Sequence, residues 1–209
     1  MTIEAAAVTI EAAAVTPEGC RAVDLPLGRR GGARSTVRSH VALFGPPNVA
    51  KLDARGKIDG LVKAAKYKRD PEVAEAARLA LEGYLDKLIA RLQTKNIVQL
   101  DTTREALVLI GPKARDRLIF VVKEGHLHRR QDAAYVLGVM KDPAAVPQLC
   151  VAMHNPDPLL RMIVVEALGK IGDPACVDTL RKAMGDVDPS VVGAARKALK
   201  QMGALPSTK

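Results

Sequence analysis

The chain has 209 residues, of which 48% are hydrophobic but only 2% aromatic, and it contains no tryptophan. The apolar residues are mainly Ala, Leu, Val and Ile, a mixture that suits closely packed helices and predicts an all-α fold. Three widely spaced cysteines without a Cys-x-x-Cys pair argue against a disulfide framework or a structural zinc site. A cytoplasmic location without a membrane span is therefore expected, since no run of about 18 apolar residues occurs.

Residues 1–44 differ in composition from the rest of the chain. Thr2 to Val8 is repeated at once as Thr9 to Val15, which predicts a short alanine-rich helix that is marginal alone. Thr16 to His40 is rich in Pro, Gly, Arg and Ser, which is typical of a flexible segment. We predict that residues 1–44 form a disordered or weakly helical basic arm, that residues 45–203 form the folded domain, and that residues 204–209 are a tail.

A period of about 30 residues runs through the predicted domain. Leu88, Leu118, Leu149 and Leu180 are separated by 30, 31 and 31 residues, and a second leucine column has the same steps. That column consists of Leu107, Leu137, Leu168 and Leu199. A period in this range over several units indicates stacked repeats, because one unit cannot bury its apolar side alone.

Each repeat is predicted to contain two helices, the second longer than the first. Asp157 followed by Pro158 predicts the start of a helix. The Asp side chain accepts hydrogen bonds from backbone N–H groups of the first turn, and Pro has no N–H that would need an acceptor there. Apolar residues recur 3, 7, 10, 11 and 14 positions later, which forms one stripe on a helix. Asn96 and His126 take the Asp position in the middle repeats. Gly111, Gly172 and Gly203 occur at the same position of their repeats and predict helix ends. In the repeat between Gly111 and Gly172, Lys141 occupies this position.

The segment from Asp157 to Pro174 resembles the PBS lyase HEAT-like repeat, through the pattern DPxxRxxVxEALGxIGDP. Asp188 to Gly203 and Asp70 to Leu81 are similar more loosely, and the resemblance extends from about Gly56 to Gly203. It implies a HEAT-like α-α superhelix, here of about five helix pairs. It also implies that the second helices line a concave side, where members of the family commonly hold a partner protein.

The resemblance places positions 5, 6, 9 and 13 after each leading residue on the concave face. In the four copies these positions are Asp101, Thr102, Glu105 and Leu109; Gln131, Asp132, Tyr135 and Val139; Met162, Ile163, Glu166 and Lys170; and Gly193, Ala194, Lys197 and Gln201. The predicted partner-binding residues among them are Gln131, Tyr135, Val139, Met162, Ile163, Glu166, Lys170, Lys197 and Gln201. Met162, Ile163 and Tyr135 are candidate anchors, although packing between neighbouring repeats would also explain them.

No residue pattern nominates a catalytic, cofactor or metal site. His126 and His128 are two apart, so their rings diverge on a helix, and no acid or cysteine stands at ligand spacing. Phosphate-binding glycine loops and nucleophile motifs do not occur. Cys150 and Cys176 are expected to be core residues of first helices.

Three functions stay open on the sequence. The first is a non-enzymatic scaffold or adaptor, monomeric or part of a heteromer, that binds another protein on its concave face. The second is a subunit of a bilin lyase, as the name of the repeat suggests. The third is nucleic-acid binding through the net charge of +9. This third function requires Lys63, Lys66, Arg69, Arg115, Arg117 and Arg130 to converge on one face.

Overall fold

The computed structural model describes residues 46–205, and every regular element in this range is helical. The predicted arm and most of the predicted tail lie outside the described residues. The chain divides after residue 42, and the described residues all belong to the second unit, Leu43–Lys209. The α-helices are α1 (Val49–Ala54), α2 (Ile58–Ala65), α3 (Pro71–Glu82), α4 (Leu85–Arg91), α5 (Ile97–Ile110), α6 (Pro112–Glu124), α7 (Leu127–Met140), α8 (Val146–Ala152), α9 (Pro158–Ile171), α10 (Val177–Ala183) and α11 (Pro189–Gln201).

After α1 the helices form five pairs, which confirms the predicted all-α repeat architecture. The pairs are α2/α3, α4/α5, α6/α7, α8/α9 and α10/α11, and single 3₁₀ turns, Pro143–Ala145 and Pro174–Cys176, precede α8 and α10. The second helices pack side by side, α5 on α7, α7 on α9 and α9 on α11. The first helices α4, α6 and α8 also contact one another in sequence. The repeats therefore stack as the period predicted.

The helix starts are those read from the Asp positions. Asp157 Oδ2 accepts a 2.7 Å hydrogen bond from the backbone N–H of Leu160 and caps α9. Asp70 and Asp188 cap α3 and α11 in the same way. Asn96 caps α5 through its side chain, whereas His126 stands at the cap position of α7 without a side-chain bond. The middle repeats thus keep the predicted boundaries but lose one cap interaction.

Left-handed residues close two of the second helices. Gly172 ends α9 at φ 73° and ψ 19°, a conformation that costs glycine little because it has no Cβ. Lys141 occupies the equivalent place after α7 at φ 55° and ψ 36°. Among residues 46–205, Lys141 is the one residue other than glycine that has a positive φ. Lys141 therefore takes the same left-handed backbone conformation as Gly172, as its position in the repeat predicted.

Both leucine columns lie in the core. Each of the eight leucines is buried, with 1% or less of its surface exposed. Burying one leucine side chain contributes about 1.5–3 kcal/mol, so the columns form a continuous stabilising seam through the stack. The last three second helices also approach closely through glycines. A Cβ on Gly138 would lie 2.6 Å from Cα of Ala167, and one on Gly169 would lie 2.6 Å from Cβ of Ala198.

Candidate partner-binding face

The second-helix face consists of the side chains at the predicted positions 5, 6, 9 and 13 on α5, α7, α9 and α11. All nine predicted partner-binding residues lie on α7, α9 or α11. Tyr135 and Val139 expose 37% and 38% of their surface. Lys170, Lys197 and Gln201 are exposed, and the remaining predicted residues, Gln131, Met162, Ile163 and Glu166, are half-buried. The nine residues therefore differ in how much surface they present.

Tyr135 stands at the centre of this face, between two cations. The guanidinium carbon of Arg104, on α5, lies 4.8 Å from the ring centroid. The Nζ atom of Lys170, on α9, lies 4.5 Å from the same centroid. Cation–π contacts at exposed sites contribute about 0.5–1 kcal/mol each. The ring is thus held by three successive repeats while part of it stays accessible.

Arg104 is itself positioned by two carboxylates. Its Nε atom donates a 3.2 Å hydrogen bond to Oδ1 of Asp132, and Nη2 contacts the same oxygen. Its Nη1 atom lies 3.3 Å from Oδ1 of Asp101. Asp132 was placed on the exposed face by the resemblance, but it is buried beneath Arg104. Burial raises the pKa of Asp132, and the hydrogen bond from Arg104 acts in the opposite direction.

Two grooves occupy the second-helix face. The first groove, of about 440 Å³, separates α5 from α7 and has both charged and apolar walls. The second groove, of about 230 Å³, lies between α9 and α11. Lys170 borders the second groove and contacts Tyr135 of the first, so the two grooves are neighbours. The first groove is lined by Lys66, Asp101, Arg104, Glu105, Val108, Leu109, Tyr135 and Val139, and the second by Glu166, Lys170, Ala194, Lys197, Ala198 and Gln201.

Three of the predicted residues also pack between repeats. Gln131 donates a 2.9 Å hydrogen bond from Nε2 to Oδ2 of Asp157, the cap of α9. Met162 and Ile163 are half-buried and pack against the buried apolar cluster. The alternative explanation raised for Met162 and Ile163, packing between repeats, therefore has direct structural support. Tyr135 and Val139 are the apolar members of the predicted set that present most surface.

The basic residues considered for nucleic-acid binding are mostly engaged by neighbouring groups. Lys66 Nζ lies 2.6 Å from Glu105, and Arg115 Nη1 lies 3.2 Å from Asp142. Arg117 pairs with Asp86. Arg130 donates to the backbone carbonyl of Lys123. These contacts join adjacent repeats or helices, and they reduce the positive charge that each group presents to solvent.

The described residues 46–205 do not bring metal-ligating side chains together. Within this range, no group of three His, Cys, Asp or Glu side chains could hold a metal ion. The two described cysteines are unpaired thiols, Cys150 half-buried and Cys176 buried. Burial raises the pKa of Cys176 to about 11, which keeps this thiol protonated and weakly nucleophilic. In the same part of the chain, no helix is long and apolar enough to cross a membrane.

Arg104 and Lys66 line the first groove although neither was among the predicted partner-binding residues, and Lys66 was considered only for nucleic-acid binding. Arg104 stands eight positions after Asn96, on the side of α5 that faces the next repeat. Lys66 is the residue that ends α2 and lies near Glu105 of a later repeat. A search for opposite charges on consecutive repeats would have found the pair of Arg104 and Asp132, since they are 28 residues apart.

Comparison with known proteins agrees with this geometry. Residues 118–200 match the family model of HEAT repeats, and this span runs from α6 into α11. This part of the chain is therefore similar to HEAT repeats. Among solved structures, human deoxyhypusine hydroxylase in complex with glycerol is similar at 21% sequence identity and a TM-score of 0.47. That similarity covers 75% of this chain and 77% of the other, and it is too distant to indicate an activity. No curated protein matches the sequence.

Proposed function

We propose that this HEAT-repeat chain is a non-enzymatic scaffold or adaptor that binds a partner protein on its second-helix face. The observation that carries the proposal is Tyr135, which is partly exposed, held between Arg104 and Lys170, and placed on the wall of the first groove. Tyrosine and arginine are the residue types most enriched among those that dominate binding energy at protein interfaces.

The fixed position of Tyr135 favours binding for an energetic reason. An exposed side chain that becomes ordered on binding loses about 0.5–1.5 kcal/mol of conformational entropy. Arg104 and Lys170 already restrict the ring in the unbound chain, so less of this entropy remains to be lost. Val139, one turn further along α7, extends the apolar wall beside the ring. Together the two side chains form an anchor point that is prepared before the partner arrives.

The alternatives are less well supported by the described residues. Nucleic-acid binding is disfavoured because four of the six cations that it requires contact a carboxylate or a carbonyl. The narrower resemblance to PBS lyase HEAT-like repeats, a bilin lyase subunit, a cytoplasmic location and a monomeric or heteromeric state all stay predictions.

An affinity pull-down from the source cells tests the proposal with two matched double variants. Tyr135→Ala with Val139→Ala removes the anchor, whereas Phe120→Ala with Val151→Ala removes exposed apolar side chains from the first helices α6 and α8. We expect the first double variant to lose partners that the wild type and the second variant retain. Retention of the same partners by both variants would show that the second-helix face is not the binding surface.

A further inference from the structure

The cations that line the two grooves fall into two groups. Lys66 and Arg104 are compensated, by Glu105 and by Asp132 and Asp101. Lys170 and Lys197 differ, because no carboxylate among residues 46–205 lies within 4 Å of either Nζ atom. The uncompensated positive charge of this face is therefore concentrated at its C-terminal half, on α9 and α11.

Lys170 and Lys197 line one groove and border the Tyr135 anchor. Both lysines line the second groove, on α9 and α11 respectively. Lys170 also lies over the ring of Tyr135, and Val139 stands next to that ring in the first groove. A single extended segment could thus contact an apolar wall and two cations without leaving the face. Glu166 is the one carboxylate among the residues that line the second groove.

We infer that the second-helix face takes an acidic peptide segment of the partner, with its carboxylates at Lys170 and Lys197 and an apolar side chain against Tyr135 and Val139. This inference rests on the proposed function and adds the chemistry of the partner. Charge complementarity is the physical reason, because carboxylates of the partner would supply the counter-charges that both lysines lack. Charge-assisted hydrogen bonds to the lysines also fix the register of a peptide along the face.

A nucleic acid fits the same face poorly. Single strands bind through cations that follow the phosphate chain and through aromatic rings on which bases stack. Two cations already lie over the Tyr135 ring, which reduces the ring surface left for a base to stack on. Asp101, Glu105 and Glu166 also place carboxylates along the two grooves, where they repel a continuous row of phosphates. A peptide can avoid these carboxylates by placing neutral residues opposite them.

Fluorescence anisotropy with the full chain tests the inference. The probe is a fluorescein-labelled 12-residue peptide of alternating Glu and Leu, compared with the same peptide carrying Lys for Glu and with a 12-nucleotide single-stranded RNA. We expect the acidic peptide to bind most tightly. The double variant Lys170→Gln, Lys197→Gln should weaken it about fivefold to tenfold, and Glu166→Gln should tighten it about twofold, because a repelling charge is removed.

The matched control removes two exposed lysines from first helices. Lys123→Gln with Lys182→Gln, on α6 and α10, changes the net charge equally and should leave the affinity unchanged. The inference is overturned if the basic peptide or the RNA binds more tightly than the acidic peptide, or if both double variants weaken binding equally. If this happens while the Tyr135 and Val139 variant still loses its partners in the pull-down, the acidic chemistry is wrong and the binding face stands. If that variant also keeps its partners, the proposed function fails as well.

Discussion

Arg161 offers a strong test of how the repeats are held together. It is 9% exposed, and its guanidinium joins α9 to the turn before α11. Nε and Nη2 donate to the two carboxylate oxygens of Asp186 at 2.9 and 2.8 Å. Nη1 donates to the backbone carbonyls of Asn155 and Pro156, both at 2.9 Å. Replacing Arg161 by Met keeps much of the volume and removes all four hydrogen bonds.

We expect Arg161→Met to lower the free energy of unfolding by about 3–5 kcal/mol, the usual effect of leaving one partner of a buried ion pair uncompensated. The Asp186 side chain is only 11% exposed, so water replaces the lost guanidinium poorly. The two carbonyls each lose a charged donor in addition. Because a typical domain is stabilised by about 5–15 kcal/mol, the variant would approach the limit of folding.

The pH dependence provides a second measurement of the same effect. Arg161 holds the pKa of Asp186 below its ordinary value, so the pair stabilises the fold above pH about 4 and loses this contribution as pH falls through the folded pKa. Without Arg161, desolvation of Asp186 is opposed only by hydrogen bonds from the backbone N–H groups of Val187 and Asp188, so the pKa of Asp186 should rise above its wild-type value. The carboxyl then takes up a proton as the pH falls towards 4, and its penalty shrinks. The free energy of unfolding of Arg161→Met should therefore fall further below that of the wild type at pH 7 than at pH 4.

Urea unfolding followed by circular dichroism at both pH values gives these free energies. The matched control is Arg181→Met, whose ion pair with Asp178 is exposed and 3.5 Å long, and we expect it to change stability by less than about 1 kcal/mol. The reasoning is refuted if Arg161→Met costs no more than this control at pH 7. It is also refuted if the loss fails to shrink at pH 4.

Three further predictions follow from the backbone and the core. Lys141→Gly should raise stability by about 0.5–1 kcal/mol, because relief of the left-handed backbone exceeds the entropy that glycine loses, and an unchanged or lower Tm would contradict this. Gly138→Ala should destabilise by about 1–3 kcal/mol, since its Cβ would lie 2.6 Å from Cα of Ala167. Gly193→Ala, with no atom within 4 Å of its Cβ, is the control and should be neutral or stabilising in the same melts. Cys176 should resist a thiol reagent at pH 8 in the native protein and react in urea, and equal rates in both states would argue against its buried, protonated form.

Most of the fold could be predicted because, in a repeat protein, the buried residues of successive repeats recur at a fixed spacing in the sequence. Leu118, Leu149 and Leu180 must occupy the same place in successive repeats to form one core, so their positions follow the period. The same holds for Asp157 and Asp188, which cap equivalent helices. Helix starts and ends depend on local backbone chemistry, and this chemistry is visible in the sequence.

The burial of each residue on the second-helix face was less predictable, because the position of a residue on its helix does not determine which side chains of the neighbouring repeat cover it. Asp132 and Ile163 share one helical position, yet Asp132 is buried under Arg104 and Ile163 packs partly into the core. The cover comes from the neighbouring repeat and depends on the length of its side chains. Tyr135 was nominated for its position in the repeat and its residue type, and the cations that lie over its ring stand on other helices.

The net charge of a stacked repeat protein is a poor guide to its partner unless the ion pairs between residues one repeat apart are first left out of the count. Glu82 pairs with Lys113 and Asp86 pairs with Arg117, each across 31 residues, the period of the stack. Such exposed pairs contribute about 0–1 kcal/mol to stability, but they cancel much of the local field. The basic residues that suggested nucleic-acid binding are thus largely paired with carboxylates of the same stack. What remains to attract a charged partner is a local excess, and on the second-helix face this excess lies at the two lysines of the second groove.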